Sequence, residues 1–131
     1  GDIDPPPTLV VADLSFISLT TVIGALAAVA SATAHFLLMV KPQFEVGKEA
    51  LPAGGVVREP ADRAGAVTGV VGAAERLGLY LHHVVRSPLP GPSGNVEFFV
   101  HLTRGRDGAL TGDAARDAIV RETGIDAEVA A

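Results

Sequence analysis

Residues 36–40, Phe-Leu-Leu-Met-Val, form an unbroken apolar run of strand length that closes on Lys41-Pro42. Continuous apolar runs of this length fit parallel strands buried on both faces. Pro42 has no amide proton to give a neighbouring strand, so the strand must stop at Lys41. An ammonium group then stands at the carboxyl end of a buried strand, where open α/β sheets place their ligands. The rest of the chain is read from that point.

Residues 8–12 form a second short apolar run, ended by Asp13-Leu14-Ser15-Phe16. Ser18 can cap a helix running to about Val29, because its hydroxyl accepts from the first free backbone amides. That helix is rich in alanine and apolar on most faces, so it is expected to be largely buried. Strand, helix and strand make a βαβ unit with parallel strands and a right-handed crossover. Asp13 and Lys41 therefore share one rim of the sheet.

A glycine-containing loop over 44–60 carries Lys48 and Arg58; loops this long are usually functional or mobile. Residues 61–77 read as a second helix, ended by Gly78 at a left-handed cap. Residues 79–85 and 96–102 read as strands, joined by a proline- and glycine-rich turn over 87–95. That link is too short for a crossover, which needs about a dozen residues, so the last strand runs antiparallel to its partner. Its first residues, Glu97 among them, return to the rim that holds Asp13 and Lys41. With strands roughly 5 Å apart, Lys41 is expected to reach both carboxylates. A tail over 104–131 opens on a turn at 104–108 and carries a short helix over 113–123.

The chain has 131 residues and no cysteine, which excludes a disulfide framework, a thiolate metal site and a cysteine nucleophile. Its 48% hydrophobic content and mean hydropathy of +0.38 argue for a packed core. A net charge of -5 does not suit a surface that grips nucleic acid everywhere. Residues 14–40 contain no Asp, Glu, Lys or Arg, a length that could span a bilayer. Ser, Thr and His interrupt that stretch, and residues 31–34 read as a junction between two elements. The four histidines show no metal-ligand spacing. His82 and His83 are expected on opposite sides of a strand, with His35 and His101 alone.

A carboxylate–lysine–carboxylate rim has two readings. It is a solvated salt-bridge network of little energetic weight, or it is a lysine held beside a reacting group for proton-transfer or electrostatic work.

Four segments carry a resemblance. They are Val11-Ala12-Asp13-Leu14-Ser15-Phe16-Ile17-Ser18-Leu19, Val40-Lys41-Pro42-Gln43-Phe44-Glu45, Gly55-Val56-Val57-Arg58, and the run from Arg86-Ser87-Pro88 through Asn95-Val96-Glu97-Phe98-Phe99. In this order they resemble the TlyA-type, haemolysin-A-like subgroup of the FtsJ-like RNA 2′-O-methyltransferases, over about the first hundred residues. The resemblance implies an α/β fold with part of a Rossmann-like methyltransferase sheet, parallel strands and a reversed last strand. It implies S-adenosyl-L-methionine as cofactor and a ribose 2′-hydroxyl of ribosomal RNA as methyl acceptor. The family's lysine–aspartate–lysine–glutamate tetrad is matched by Asp13, Lys41 and Glu97. Asp13, Leu14 and Ser15 fall on the cofactor side, and Lys48, Arg58, Ser93 and Asn95 are the substrate-binding candidates. Each of those four has a plain alternative as a solvated loop cation or a turn residue.

The family's first tetrad lysine, its glycine-rich cofactor loop and its basic S4-like RNA-binding module all lie upstream of the residues matched here. The chain is therefore expected to be the carboxyl-terminal part of a cytoplasmic methyltransferase domain, inactive alone, with RNA held mainly by that module. An exposed edge at residues 8–12 would favour self-association. Two other readings stay open: a membrane-active haemolysin-like protein resting on residues 14–40, and a non-catalytic Rossmann-like interaction module.

Overall fold

Ser18 opens the first helix as its side chain requires: its Oγ accepts from the Thr20 amide at 3.1 Å. The computed structural model describes residues 4–15, 17–47, 51, 54–91 and 94–124. In chain order these form β1 (Leu9–Ala12), α1 (Leu19–Val29), β2 (His35–Val40), α2 (Pro42–Glu45), α3 (Pro60–Arg76), β3 (Tyr80–Arg86), β4 (Phe98–Thr103) and α4 (Gly112–Thr123). Gly78 ends the α3 segment with a φ of 78°, a conformation glycine adopts without a Cβ clash.

The described residues make a four-stranded mixed sheet in the order β1-β2-β4-β3. β1 pairs with β2 in parallel, Leu9 opposite His35 and Ala12 opposite Leu38. β4 enters antiparallel between β2 and β3, with Val40 opposite Phe98 on one side and Arg86 opposite Phe98 on the other. The reversed last strand follows from the short link that precedes it. β1 lies at the sheet edge, as the sequence led us to expect.

One hydrophobic cluster holds these elements together. Phe36, Leu38 and Val40 of β2, Val100 and Leu102 of β4, and Leu81 and Val84 of β3 pack with Val67, Val70, Val71 and Ala74 of α3. α4 adds Ala115, Ala118 and Ile119, and Arg86 of β3 donates to the Glu122 carbonyl at 2.9 Å. The stretch read as a tail thus contains a docked helix. Arg104, just past β4, donates to the carbonyls of Ala27 at 2.6 Å, Ala30 at 3.3 Å and Ser31 at 3.3 Å. It supplies the cation that the last turn of α1 lacks.

Three expectations are corrected. β2 is not buried on both faces: Phe36, Leu38 and Val40 are fully buried, while Leu37 is exposed and Met39 half-buried. The helices gather on one side of the sheet through the shared core, so the alternate side chains face outward with Leu9, Val11 and Val85. α1 is not largely buried either. Its fully buried residues are Leu19 and Ile23, because it meets α3 along one side only. The charge-free stretch 14–40 is divided between α1 and β2, and no helix among the described residues is long and apolar enough to cross a membrane.

The third correction concerns the histidines. A register shift between Leu81 and His83 sets His83 opposite His101, an extra-residue bulge of the kind that re-aims side chains. His82 and His83 therefore do not simply divide between two faces. His101 Nε2 lies 2.9 Å from His35 Nδ1, and His101 Nδ1 lies 3.0 Å from His83 Nδ1. The His35 and His83 rings stack on His101, and His82 tilts toward it while its Nε2 sits 2.8 Å from Thr103 Oγ1. No group of these or other described residues is arranged to hold a metal ion.

Partial burial, then the neighbouring His35, His83 and His82, hold His101 below its ordinary value of 6.5. The unfolded chain therefore binds a proton at His101 more readily than the folded one, so stability is lost as pH falls through about 6.5. The melting temperature is expected to fall between about pH 7.5 and pH 5.5, and less so in His101→Gln. An equal fall in both proteins would assign the dependence to other groups.

Candidate active site

Pro42 does two things at the end of β2. It ends the strand and, at the first position of a helix, starts α2, where its missing amide costs nothing. The amide of Phe44 bonds back to the Lys41 carbonyl at 2.9 Å, and that of Val46 to the Pro42 carbonyl at 3.1 Å. Residues 44 and 45, read from sequence as the start of a loop, belong to this turn. Its tight coil sends Lys41, Gln43 and Glu45 to three different partners.

Lys41 reaches back to β1. Its Nζ lies 2.5 Å from Asp13 Oδ1 and donates to Ser15 Oγ at 3.3 Å. Lys41 is 8% exposed, whereas the Asp13 side chain is 59% exposed. The ion pair is therefore wet on its carboxylate side, and its value is positional more than energetic. The parallel strands bring Asp13 and Lys41 to one rim, as the βαβ reading required.

Glu97 immediately precedes β4. Continuing the register one step past the Val40–Phe98 pair sets it opposite Lys41. The expected reach of Lys41 to both carboxylates is nonetheless not seen, since among the described residues Lys41 forms its ion pair with Asp13. Glu97 is 5% exposed and accepts from Gln43 Nε2 at 3.0 Å through Oε2. The α2 turn carries Gln43 into that place, where sequence spacing alone suggested the ammonium.

Glu45 closes the third link. Its Oε2 accepts from the Leu19 amide at 2.8 Å, and its Oε1 accepts from Ser18 Oγ at 2.6 Å. A carboxylate on α2 thus satisfies a free amide at the start of α1. Burial raises Glu45 above its ordinary 4.5, although these two hydrogen bonds pull the other way.

Asn95 is 3% exposed. It accepts from the Val57 amide at 2.9 Å and donates to the Gly55 carbonyl at 2.9 Å. Its side chain is thus occupied in pinning the 54–57 loop against the approach to β4. Arg58 is exposed beside it. Lys48 and Ser93 lie outside the described residues, and Leu14 is half-buried next to exposed Ser15. A shallow cavity of about 270 Å³ lined by Thr33, His35, Thr103 and Arg104 opens at the opposite end of the sheet, away from this rim. Sequence reasoning passed over Gln43 and Glu45. Proline at a first helical position with an acid in the same turn was the available signal.

The FtsJ-like methyltransferase family model matches residues 2–104. The chain belongs to that family. It is 52% identical over 113 residues to the 16S/23S rRNA (cytidine-2′-O)-methyltransferase TlyA of Mycobacterium tuberculosis, covering 86% of this chain and 42% of that protein. It is 32% identical over 96 residues to YqxC of Bacillus subtilis, covering 73% of this chain and 34% of that protein. A crystal structure described as a hemolysin from Lactococcus lactis superposes with a TM-score of 0.80 at 28% identity, over 91% of this chain and 57% of that one. The chain spans less than half the length of the curated relatives it matches. The rim of Asp13, Lys41 and Glu97 thus lies in a methyltransferase-family sheet with a reversed last strand.

Asn95→Ala is expected to lower unfolding free energy by about 2 kcal/mol, because it leaves the Val57 amide and Gly55 carbonyl without their partner. Urea unfolding of the two proteins measures the difference. A change below about 0.5 kcal/mol would mean that the loop is held by other contacts.

Proposed function

We propose that this chain is the catalytic-rim part of an S-adenosylmethionine-dependent methyltransferase that modifies ribose 2′-hydroxyls of ribosomal RNA. The observation that carries the reading is the buried Lys41 ammonium, held by Asp13 and Ser15 at the carboxyl rim of a sheet of this family. A surface salt-bridge network does not need a lysine that is 8% exposed.

The residues present fit the cofactor. The Asp13 side chain is more than half exposed, Ser15 offers a hydroxyl, and Leu14 offers apolar surface, which suits a ligand with polar, cationic and apolar parts. S-adenosylmethionine would supply a methyl group on a sulfonium, an electrophile that needs no further activation. Asp13, Leu14 and Ser15 would hold it at the end of β1.

Lys41 then orients the ribose hydroxyl by donating to its oxygen. The hydroxyl proton would pass to water at the open rim beside Asp13, and the fixed ammonium would stabilise the negative charge that develops on the oxygen. Asp13 keeps the ammonium from swinging away, and Glu97 shapes the other side of the rim. With the cofactor held at the end of β1, the ribose oxygen would take its methyl group and leave the sulfur neutral, and the part of this chain would be to keep the hydroxyl in place through Lys41. Much of the rate would come from holding two reactants in line.

The net charge of -5 leaves RNA affinity to a basic S4-like module joined to this part in the whole, cytoplasmic protein. The edge strand β1 is a place for self-association. Exposed Arg58 is the described cation placed to meet a phosphate beside the pinned loop.

The test uses the protein extended upstream to the length of its relatives, with labelled S-adenosylmethionine and ribosomes lacking the modification. Lys41→Ala is expected to lower label transfer to RNA by at least about 100-fold while the melting temperature moves little. Transfer that survives Lys41→Ala would sink the role given to the lysine. No transfer by the parent protein would sink the reading itself.

A further inference from the structure

The Glu97 carboxylate is held by a clamp that no catalytic role has so far required. Gln43 Nε2 donates to Oε2 at 3.0 Å. The same carboxyl group packs on Gly91, where a Cβ would fall far inside van der Waals contact with it, nearest to Oε2. Gly91 has no left-handed backbone angle to explain its identity, so the carboxylate packed against it does. Its amide bonds the Asn95 carbonyl at 2.7 Å, which keeps it in place.

Gln43 is an odd choice for stability. It is 8% exposed, and its Oε1 is buried with no hydrogen-bond partner among the described residues. A buried acceptor left unmet works against folding. Turning the carboxamide over would aim that oxygen at the carboxylate, so the bond to Glu97 sets the orientation that leaves Oε1 unmet. The second Glu97 oxygen, Oε1, accepts no hydrogen bond from the described residues. One carboxylate oxygen is gripped and the other is left to act.

Gln43 also sits two residues from Lys41 on the same α2 turn. That turn presses the ammonium against Asp13 and the carboxamide against Glu97 together. We infer that Gln43, with Gly91 leaving room for the same carboxyl group, is a positioning residue that fixes Glu97 relative to Lys41 during methyl transfer. This rests on the ribose methyltransferase reading.

A double-mutant cycle in the extended protein tests it. Gln43→Met keeps the volume and removes the donor. It is expected to lower kcat about 10- to 100-fold, with KM for S-adenosylmethionine within about twofold. In a Glu97→Ala background the same substitution should change kcat less than about twofold, since it acts through a carboxylate no longer present. An equal loss in both backgrounds, or no loss in either, overturns the inference. Should Gln43→Met fail to fold, Gly91→Ala displaces the carboxylate by steric overlap and runs the same cycle.

Crystal structures of the two variants read the clamp without turnover. A Glu97 carboxylate displaced by more than about 0.5 Å supports it, and one that stays in place overturns it. A parent protein that transfers no methyl group would sink the functional reading, while those structures would still decide the clamp.

Discussion

The structure turns on the carboxyl end of β2. This strand pairs in parallel with β1 on one side and antiparallel with β4 on the other, so its end is where three chain segments meet. Pro42 makes that end abrupt. An amide that cannot pair stops the ladder, and a fixed φ starts a helical turn at once. Within five residues the chain changes from a period of two to a period of nearly four. Lys41, Gln43 and Glu45 would all lie on one face had the strand continued. Instead they grip Asp13, Glu97 and the start of α1.

That arrangement joins stability to chemistry. The apolar residues of β2 anchor the strand in the core through Phe36, Leu38 and Val40. The polar residues beyond it are positioned by that anchoring and pay back little of their own, since the Asp13 pair is wet and Gln43 leaves an acceptor unmet. Local compromises of this kind are offset by packing elsewhere. Arg104 and Glu45 secure the two ends of α1 from different parts of the chain, which holds the loop between β1 and α1, and Asp13 and Ser15 with it, against the sheet.

The uncovered sheet face carries the other unusual grouping. Leu9, Val11, Leu37 and Val85 lie exposed on it, and the histidines gather across β2, β4 and β3 on the strength of one extra residue in β3. The rings make a compact polar surface, and partial burial among these neighbours disfavours the charged form of His101. The face is thus apolar at its β1 edge and pH-sensitive toward its middle.

Much of this was legible in the sequence. Ser18 announced α1, Gly78 announced the end of the α3 segment, and the short link after β3 announced the reversal of β4. These signals are local: a cap, a left-handed glycine and a loop length act through bonds to near neighbours. The common rim of Asp13, Lys41 and Glu97 followed from strand direction, and the residues of four segments, in their order, resembled the FtsJ-like family. What the sequence could not settle was lateral. Which side chain meets Glu97 depended on the turn that Pro42 starts, and the meeting of His83 with His101 depended on a one-residue slip in register. The exposure of alternate β2 side chains depended on the described helices gathering on the other side. By itself the sequence determined the elements, their directions and the charged residues at one rim, because backbone chemistry is short-range. Only the tertiary structure decided the partners, because register and packing are set by residues far apart in the chain.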